Sequence, residues 1–185
     1  MNTHHCALYY RVCFYDAACS KPCGWILSST KTPSQTTTVT SRIMMPTDAN
    51  VAGSVFGGAI LKLIDEVAAI AAFKHARKNV VTASIDRMDF HSPVHVGDML
   101  RLIANVNYVH QTSMEVGVRV ESEQPQTGKI THTGTCYLTF VCLDQNDHPT
   151  QVPPLQPGTA DEKRRWREAE DRRKMRLTQL ALEQH

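Results

Sequence analysis

Hydrophobic and polar positions in the middle of the chain run from extended to helical and back to extended. Thr36 to Met45 is β-prone, and Gly57-Gly58 then opens a helical stretch from Ala59 to about Arg77, rich in Ala, Leu and Ile. Four extended runs follow, Val80–Phe90, Met99–Val109, Ser113–Glu123 and Lys129–Asp144, separated by breaks at Pro93, Gly97-Asp98, Pro125 and Gly128. In the third run Met114, Val116, Val118 and Val120 share one face, with Glu115, Arg119 and Glu121 on the other. One strand, one long helix and about four strands predict an α+β fold, an antiparallel sheet packed against a single helix.

The ends read differently. Residues 1–35 hold Pro22, Gly24 and Pro33, sustain neither period, and are expected to be a disordered leader. Arg11 and Asp16 interrupt its apolar stretch, which argues against a secretory signal. Cys6, Cys13, Cys19 and Cys23 lie there in no zinc-type spacing, so no metal site is expected. Residues 36–155 form the expected folded domain and 156–185 a helical tail. In that tail Thr159 and Glu162 form a capping-box pattern, and a charged helix runs on to about Glu183, with Trp166, Ala169, Met175, Leu177 and Leu180 as its apolar content.

Charge sharpens this division. The 185 residues carry a net charge of +2. The leader and the segment 159–185 are each +2, whereas 36–158 holds nine basic and eleven acidic side chains. So even a balance excludes nucleic acid or an anionic membrane surface as the main partner. No stretch of about 18 apolar residues occurs, so no membrane-spanning helix is expected. Nothing demands an oxidising compartment, and a cytoplasmic location is the expectation.

Two adjacent acids in the helix separate by spacing. Glu66 lies one turn from Lys62 and is expected on the surface. Asp65 lies one turn from Leu61, Ala68 and Ala69, on a small apolar face where a carboxylate needs a hydrogen bond or a purpose. Ahead of it, Asn50 to Gly58 enters the first helical turn, whose amides have no intrahelical acceptor. Without Cβ atoms, Gly57 and Gly58 let a ligand carbonyl approach those amides. Oxyanion donors with an acid two turns along the same helix suit acyl transfer or hydrolysis. Phosphate-loop, GxSxG and HExxH motifs are absent, and His75, His91, His95 and His110 are scattered.

The segments Pro46 to Gly53, Phe56-Gly57-Gly58, Leu63 to Ala68, Val81 to Ser84, Phe90 to Val94, Thr112 to Glu115 and the tail from Asp161 together resemble the hotdog-fold acyl-CoA thioesterases. The resemblance spans roughly residues 38 to 180. It implies a hotdog fold, a long central helix wrapped by a curved antiparallel sheet, followed by a C-terminal helix. It implies an acyl-CoA substrate, with coenzyme A as part of that substrate and no separate cofactor. It further implies a homodimer as the minimal active unit, often assembled as a hexamer, a trimer of dimers. Asn50 of one protomer would face Asp65 of the other, with Asp65 as general base or nucleophile and Gly57 and Gly58 as oxyanion donors. Ala83, Ser84, Ile85, Thr112, Ser113, Met114 and Arg173 match the CoA-binding positions. Phe56 departs from the histidine that many relatives carry. A non-catalytic acyl-CoA sensor would use the same pocket, whereas the dehydratase motif is missing.

Overall fold

The computed structural model describes residues 30–86 and 88–183. Its centre is helix α2, Gly57–Ala76, which buries Ile60, Leu63, Ile64, Val67, Ala68, Ala71 and Ala72. Twenty residues span about 30 Å at the helical rise. The helix is apolar round most of its girth, as expected of an element enclosed by a sheet.

Among the described residues, five antiparallel strands make that sheet: β1 Thr38–Ile43, β2 Asn79–Ile85, β3 Met99–Val109, β4 Ser113–Glu123 and β5 Ile130–Leu143, in the spatial order β1-β3-β4-β5-β2. Strict alternation fixes which face meets α2. Val106, Val116 and Leu138 stand opposite one another across three strands, as do Ala104, Val118 and Cys136, and all six are fully buried. Helix and sheet share one core, and the hotdog arrangement expected from the sequence is present.

Helix α3, Ala160–Glu183, lies on the other face of the sheet. Its entrance is the expected capping box. The Thr159 hydroxyl accepts from the Glu162 amide at 3.1 Å, and Glu162 accepts from the amides of Thr159 and Gly158 at 3.0 and 2.8 Å. Ala169 is fully buried, and Trp166 meets Tyr108 of β3 edge-on at 4.7 Å between ring centroids. Met175, counted among the helix's apolar positions, is 64% exposed.

Several boundaries differ from the sequence expectation, three of them with a cause visible in the contacts. The strand expected from Thr36 begins at Thr38, because residues 33–36 form a short helix, α1. Thr36 ends it, donating its hydroxyl to the Pro33 carbonyl at 2.6 Å and accepting the Val106 amide at 3.0 Å. The strand expected to reach Phe90 ends at Ile85, where Asp86 turns toward Arg176 of α3. The leader was expected to reach residue 35; residues 1–29, with their four cysteines, lie outside the described residues, but Lys31 already packs against α2. Its ammonium donates to the carbonyls of Lys74 and His75 at 2.6 and 2.9 Å, capping the C-terminal end of α2.

His75 lies beneath that cap, fully buried, with Nε2 donating to the Pro153 carbonyl at 2.8 Å and Nδ1 buried without a partner. Burial holds its imidazole below the ordinary histidine range, opposed by the bond to Pro153 and reinforced by the Lys31 charge. The unfolded chain therefore takes up this proton first as pH falls below about 6.5, and stability falls with it. The urea midpoint is expected to drop between pH 7 and 5.5, with a smaller drop in His75→Gln. Equal drops in the two proteins would remove His75 as the cause.

Candidate active site

Asp65, midway along α2, is half-buried, and its Oδ1 accepts the hydroxyl of Thr82 in β2 at 2.7 Å. Glu66 points to solvent and pairs with Lys62 at 3.5 Å, so the two acids occupy the separate faces that helical spacing predicts. Thr82 fixes the direction of a carboxylate that lies among alanines and would otherwise turn freely.

The next residues of β2 do something different. Its pairing with β5 shifts between Thr82, opposite Phe140, and Ser84, opposite Thr139. Phe140 belongs to the core, whereas Thr139 lies on the face beneath α3. The extra residue, Ala83, is a β-bulge that breaks the period of two and re-aims the strand. Thr82 thus serves the α2 face, while Ala83 and Ser84 both reach the α3 face.

There they border a cavity of about 310 Å³. One cross-strand row makes its floor: Tyr108 stands opposite Glu115, Glu115 opposite Thr139, and Thr139 opposite Ser84. Its roof is α3, through Arg173, Arg176, Leu177 and Leu180. Five of the residues matched to CoA binding, Ala83, Ser84, Ser113, Met114 and Arg173, meet in this wall. Thr112 and Ile85 stand outside it. The Thr112 carbonyl accepts the Cys142 amide at 2.9 Å, and Ile85 is 46% exposed beyond the bulge.

At the start of α2 the Ala59 and Ile60 amides both donate to the Phe56 carbonyl, at 2.9 and 3.4 Å. The Gly57 and Gly58 amides precede them in the first turn, and the Phe56 side chain does not cap it. A Cβ on Gly58 would overlap the Phe56 ring, so the aromatic ring lies directly over this glycine. A smaller cavity of about 270 Å³ opens between Gly57, Ile60 and the segment Phe90 to Val94.

Asn50 is engaged within its own loop. Its Oδ1 accepts the amides of Ala52 and Ser54 at 2.9 and 3.2 Å, and Nδ2 donates to the Ser54 hydroxyl at 2.9 Å. This is an Asx turn, and it leaves one Nδ2 hydrogen to donate. Within one protomer Asn50 and Asp65 are therefore held by different elements and different partners.

The cavity is charged on its α3 side. Glu115, expected simply on the face opposite the valines, is buried under Arg172 and Arg176. Burial raises Asp86 above the usual carboxylate range despite Arg176 beside it. Arg173 donates to His110 Nδ1 at 3.3 Å, and burial together with the Arg173 charge holds that imidazole below its ordinary range. Thr82, Glu115 and Arg176 are the functional candidates that the sequence pattern did not single out. A carboxylate in a valine-rich strand, matched by arginines one turn apart in the tail, was the available signal. Among the described residues no group of three His, Cys, Asp or Glu stands together as a metal site would need.

Comparison with known proteins gives a consistent picture. The model for the thioesterase superfamily matches residues 52–129. The uncharacterized acyl-CoA thioester hydrolase YkhA of Bacillus subtilis is 42% identical over 123 residues, 66% of this chain and 71% of that protein. An apo-hexameric acyl-CoA thioesterase superposes with a TM-score of 0.80 at 42% identity, covering 83% of this chain and 98% of that one. An acyl-CoA hydrolase from Staphylococcus aureus, solved with butyryl coenzyme A, coenzyme A and coenzyme A disulfide, superposes with a TM-score of 0.78 at 36% identity over 84% and 94% of the two chains. It has also been solved with alanine replacing an asparagine, an aspartate and a threonine.

Neither described cysteine is placed as a nucleophile. Cys136 and Cys142 are buried free thiols; burial, with Asp86 nearby, pushes Cys136 up to about 11, and burial also raises Cys142. At pH 8 only about a thousandth of Cys136 is thiolate. Peptide mapping after maleimide treatment of the native protein is expected to find both unmodified, and both modified in urea. Rapid native labelling of Cys136 would contradict this placement.

Proposed function

The chain belongs to the thioesterase superfamily, among its acyl-CoA thioester hydrolases, and from that membership we infer that it hydrolyses fatty acyl-CoA to coenzyme A and a free fatty acid. The observation that carries the assignment of roles is the hydrogen bond from Thr82 to Asp65, a directed carboxylate on the helix whose first two amides, Gly57 and Gly58, precede the first intrahelical bonds. Asn50, Asp65 and Thr82 lie fifteen and seventeen residues apart, the same intervals as the asparagine, aspartate and threonine replaced in the Staphylococcus aureus hydrolase.

Asp65 takes a proton from water, and the hydroxide attacks the thioester carbon. Gly57 and Gly58 donate to the oxyanion that forms, and its collapse expels the CoA thiolate, which recovers the proton from Asp65. In the alternative route Asp65 attacks the carbonyl itself, releases CoA and leaves a mixed anhydride for water to cleave. Thr82 serves both routes by holding the unprotonated Oδ1 in place. The substrate would pass round the edge strand β2, its thioester on the α2 side and its CoA end in the cavity beneath α3, where Arg173 meets phosphate.

A homodimer fits the same surface. β2 is an edge strand, and Val81, Ile85, Ile70 and Phe73 beside it are 40–46% exposed. Covering this edge with a second copy would bury those side chains and bring a partner's Asn50 loop within reach of Asp65. A hexamer built as a trimer of such dimers is the proposed assembly, in keeping with the hexameric relative. A cytoplasmic setting suits a chain whose described cysteines are both free thiols, and among the described residues no helix is long and apolar enough to cross a membrane.

Thiol release from a series of acyl-CoA chain lengths is the direct test. Asp65→Ala is expected to abolish turnover while leaving the oligomer intact, and Thr82→Val to lower kcat by about 10- to 100-fold with KM little changed. Near-normal turnover in a folded Asp65→Ala protein would end this reading. Arg173→Ala is expected to raise KM for CoA esters with kcat nearly unchanged; an unchanged KM would remove Arg173 from the site. In one turnover in ¹⁸O-water, label in Asp65 marks an anhydride opened at the Asp65 carbonyl, whereas label in the fatty acid alone is given by the general-base route and by an anhydride opened at the acyl carbon.

A further inference from the structure

Three arginines of α3 lie near the CoA-side cavity, and their partners differ. Arg172 donates to Glu115 from Nε at 3.2 Å and from Nη2 at 2.7 Å, and its guanidinium stacks on the Tyr137 ring at 3.6 Å. Arg176, one turn on, donates from Nη1 to Glu115 at 3.4 Å and to Asp86 at 2.5 Å. Two carboxylates thus balance two guanidiniums, and the Glu115 side chain is only 1% exposed. Arg173 lies between them in sequence, but about 100° round the helix. Among the described residues it pairs with no carboxylate; His110 Nδ1 is its partner.

A buried ion network of this kind adds little stability over apolar packing of the same volume. What it does supply is register. Arg172 and Arg176 form their bonds to Glu115 in one rotation and one axial setting of α3, and that setting puts Arg173 in the cavity wall. The acids also cancel the neighbouring charges, so the uncompensated positive charge at this end of the cavity is that of Arg173.

We propose that Glu115, supported by Asp86, is a positioning residue that holds α3 so that Arg173 meets the phosphorylated end of coenzyme A. With its side chain 1% exposed beneath Arg172 and Arg176, Glu115 acts through these two arginines beside Arg173. The proposal rests on the acyl-CoA reading above and assigns a role to one more residue of that site.

The test measures coenzyme A binding by calorimetry and, in parallel, turnover of an acyl-CoA and of an acyl-pantetheine that lacks the nucleotide. In Glu115→Gln the Kd for coenzyme A is expected to rise by about tenfold, with kcat and the acyl-pantetheine kcat/KM within twofold of wild type. Arg164→Ala, on the exposed side of the same helix, is the control and should leave all three unchanged. A Kd within twofold of wild type would overturn the proposal, and so would equal losses toward both thioesters, which would mark a general loosening of the site. If Glu115→Gln does not fold, Asp86→Asn is expected to weaken coenzyme A binding several-fold in the same selective way, and no change there would overturn it. A wild type that binds coenzyme A but cleaves neither thioester, with binding weakened in Glu115→Gln, would support the positioning role and remove the hydrolase reading. Normal cleavage with unweakened binding in Glu115→Gln would do the reverse.

Discussion

The bulge at Ala83 is the constraint on which the site depends. A regular strand would send Thr82 and Ser84 to the same side of the sheet. The register shift against β5 separates them, giving Thr82 to the helix side and Ser84 to the cavity beneath α3. One edge strand therefore serves two sites on opposite faces, a directed carboxylate on one and a charged cavity on the other. A long thioester with a reactive group at one point and phosphates at its far end suits that division.

The helix-and-sheet order was legible because the apolar periods are strong. The valine row of β4 and the small-residue face of α2 each have one packing solution, and Glu66 parted from Asp65 by a single helical step. The chemistry of Asp65 was also partly visible, since a carboxylate among alanines needs a partner. The identity of that partner was not. Thr82 becomes the donor through strand register, and a pairing shift leaves no trace in the hydrophobic pattern of a single strand. The resemblance to acyl-CoA thioesterases pointed to the residues of β2 without indicating that they would serve two faces.

Glu115 shows the same limit from another side. Alternation along β4 placed it correctly opposite the valines, but alternation cannot say whether that face meets water or another element. Helix α3 covers it, and the charged tail that reads as a solvated helix turns out to spend Arg172 and Arg176 on a buried acid. The near-neutral total of the chain conceals this arrangement. Balanced pairs account for most of the charge in the tail, and Arg173, in the cavity wall, has His110 as its partner.

The central claim is that the substrate passes round the β2 edge, with its carbonyl carbon beside Asp65 on one face and its nucleotide under α3 on the other. A crystal structure with a non-hydrolysable thioether analogue of an acyl-CoA tests this most directly. The linkage is expected next to Asp65 and the Gly57 and Gly58 amides, the pantetheine arm crossing at Ala83 and Ser84, and the phosphates at Arg173. An analogue lying wholly beneath α3, with its thioether remote from Asp65, would contradict it.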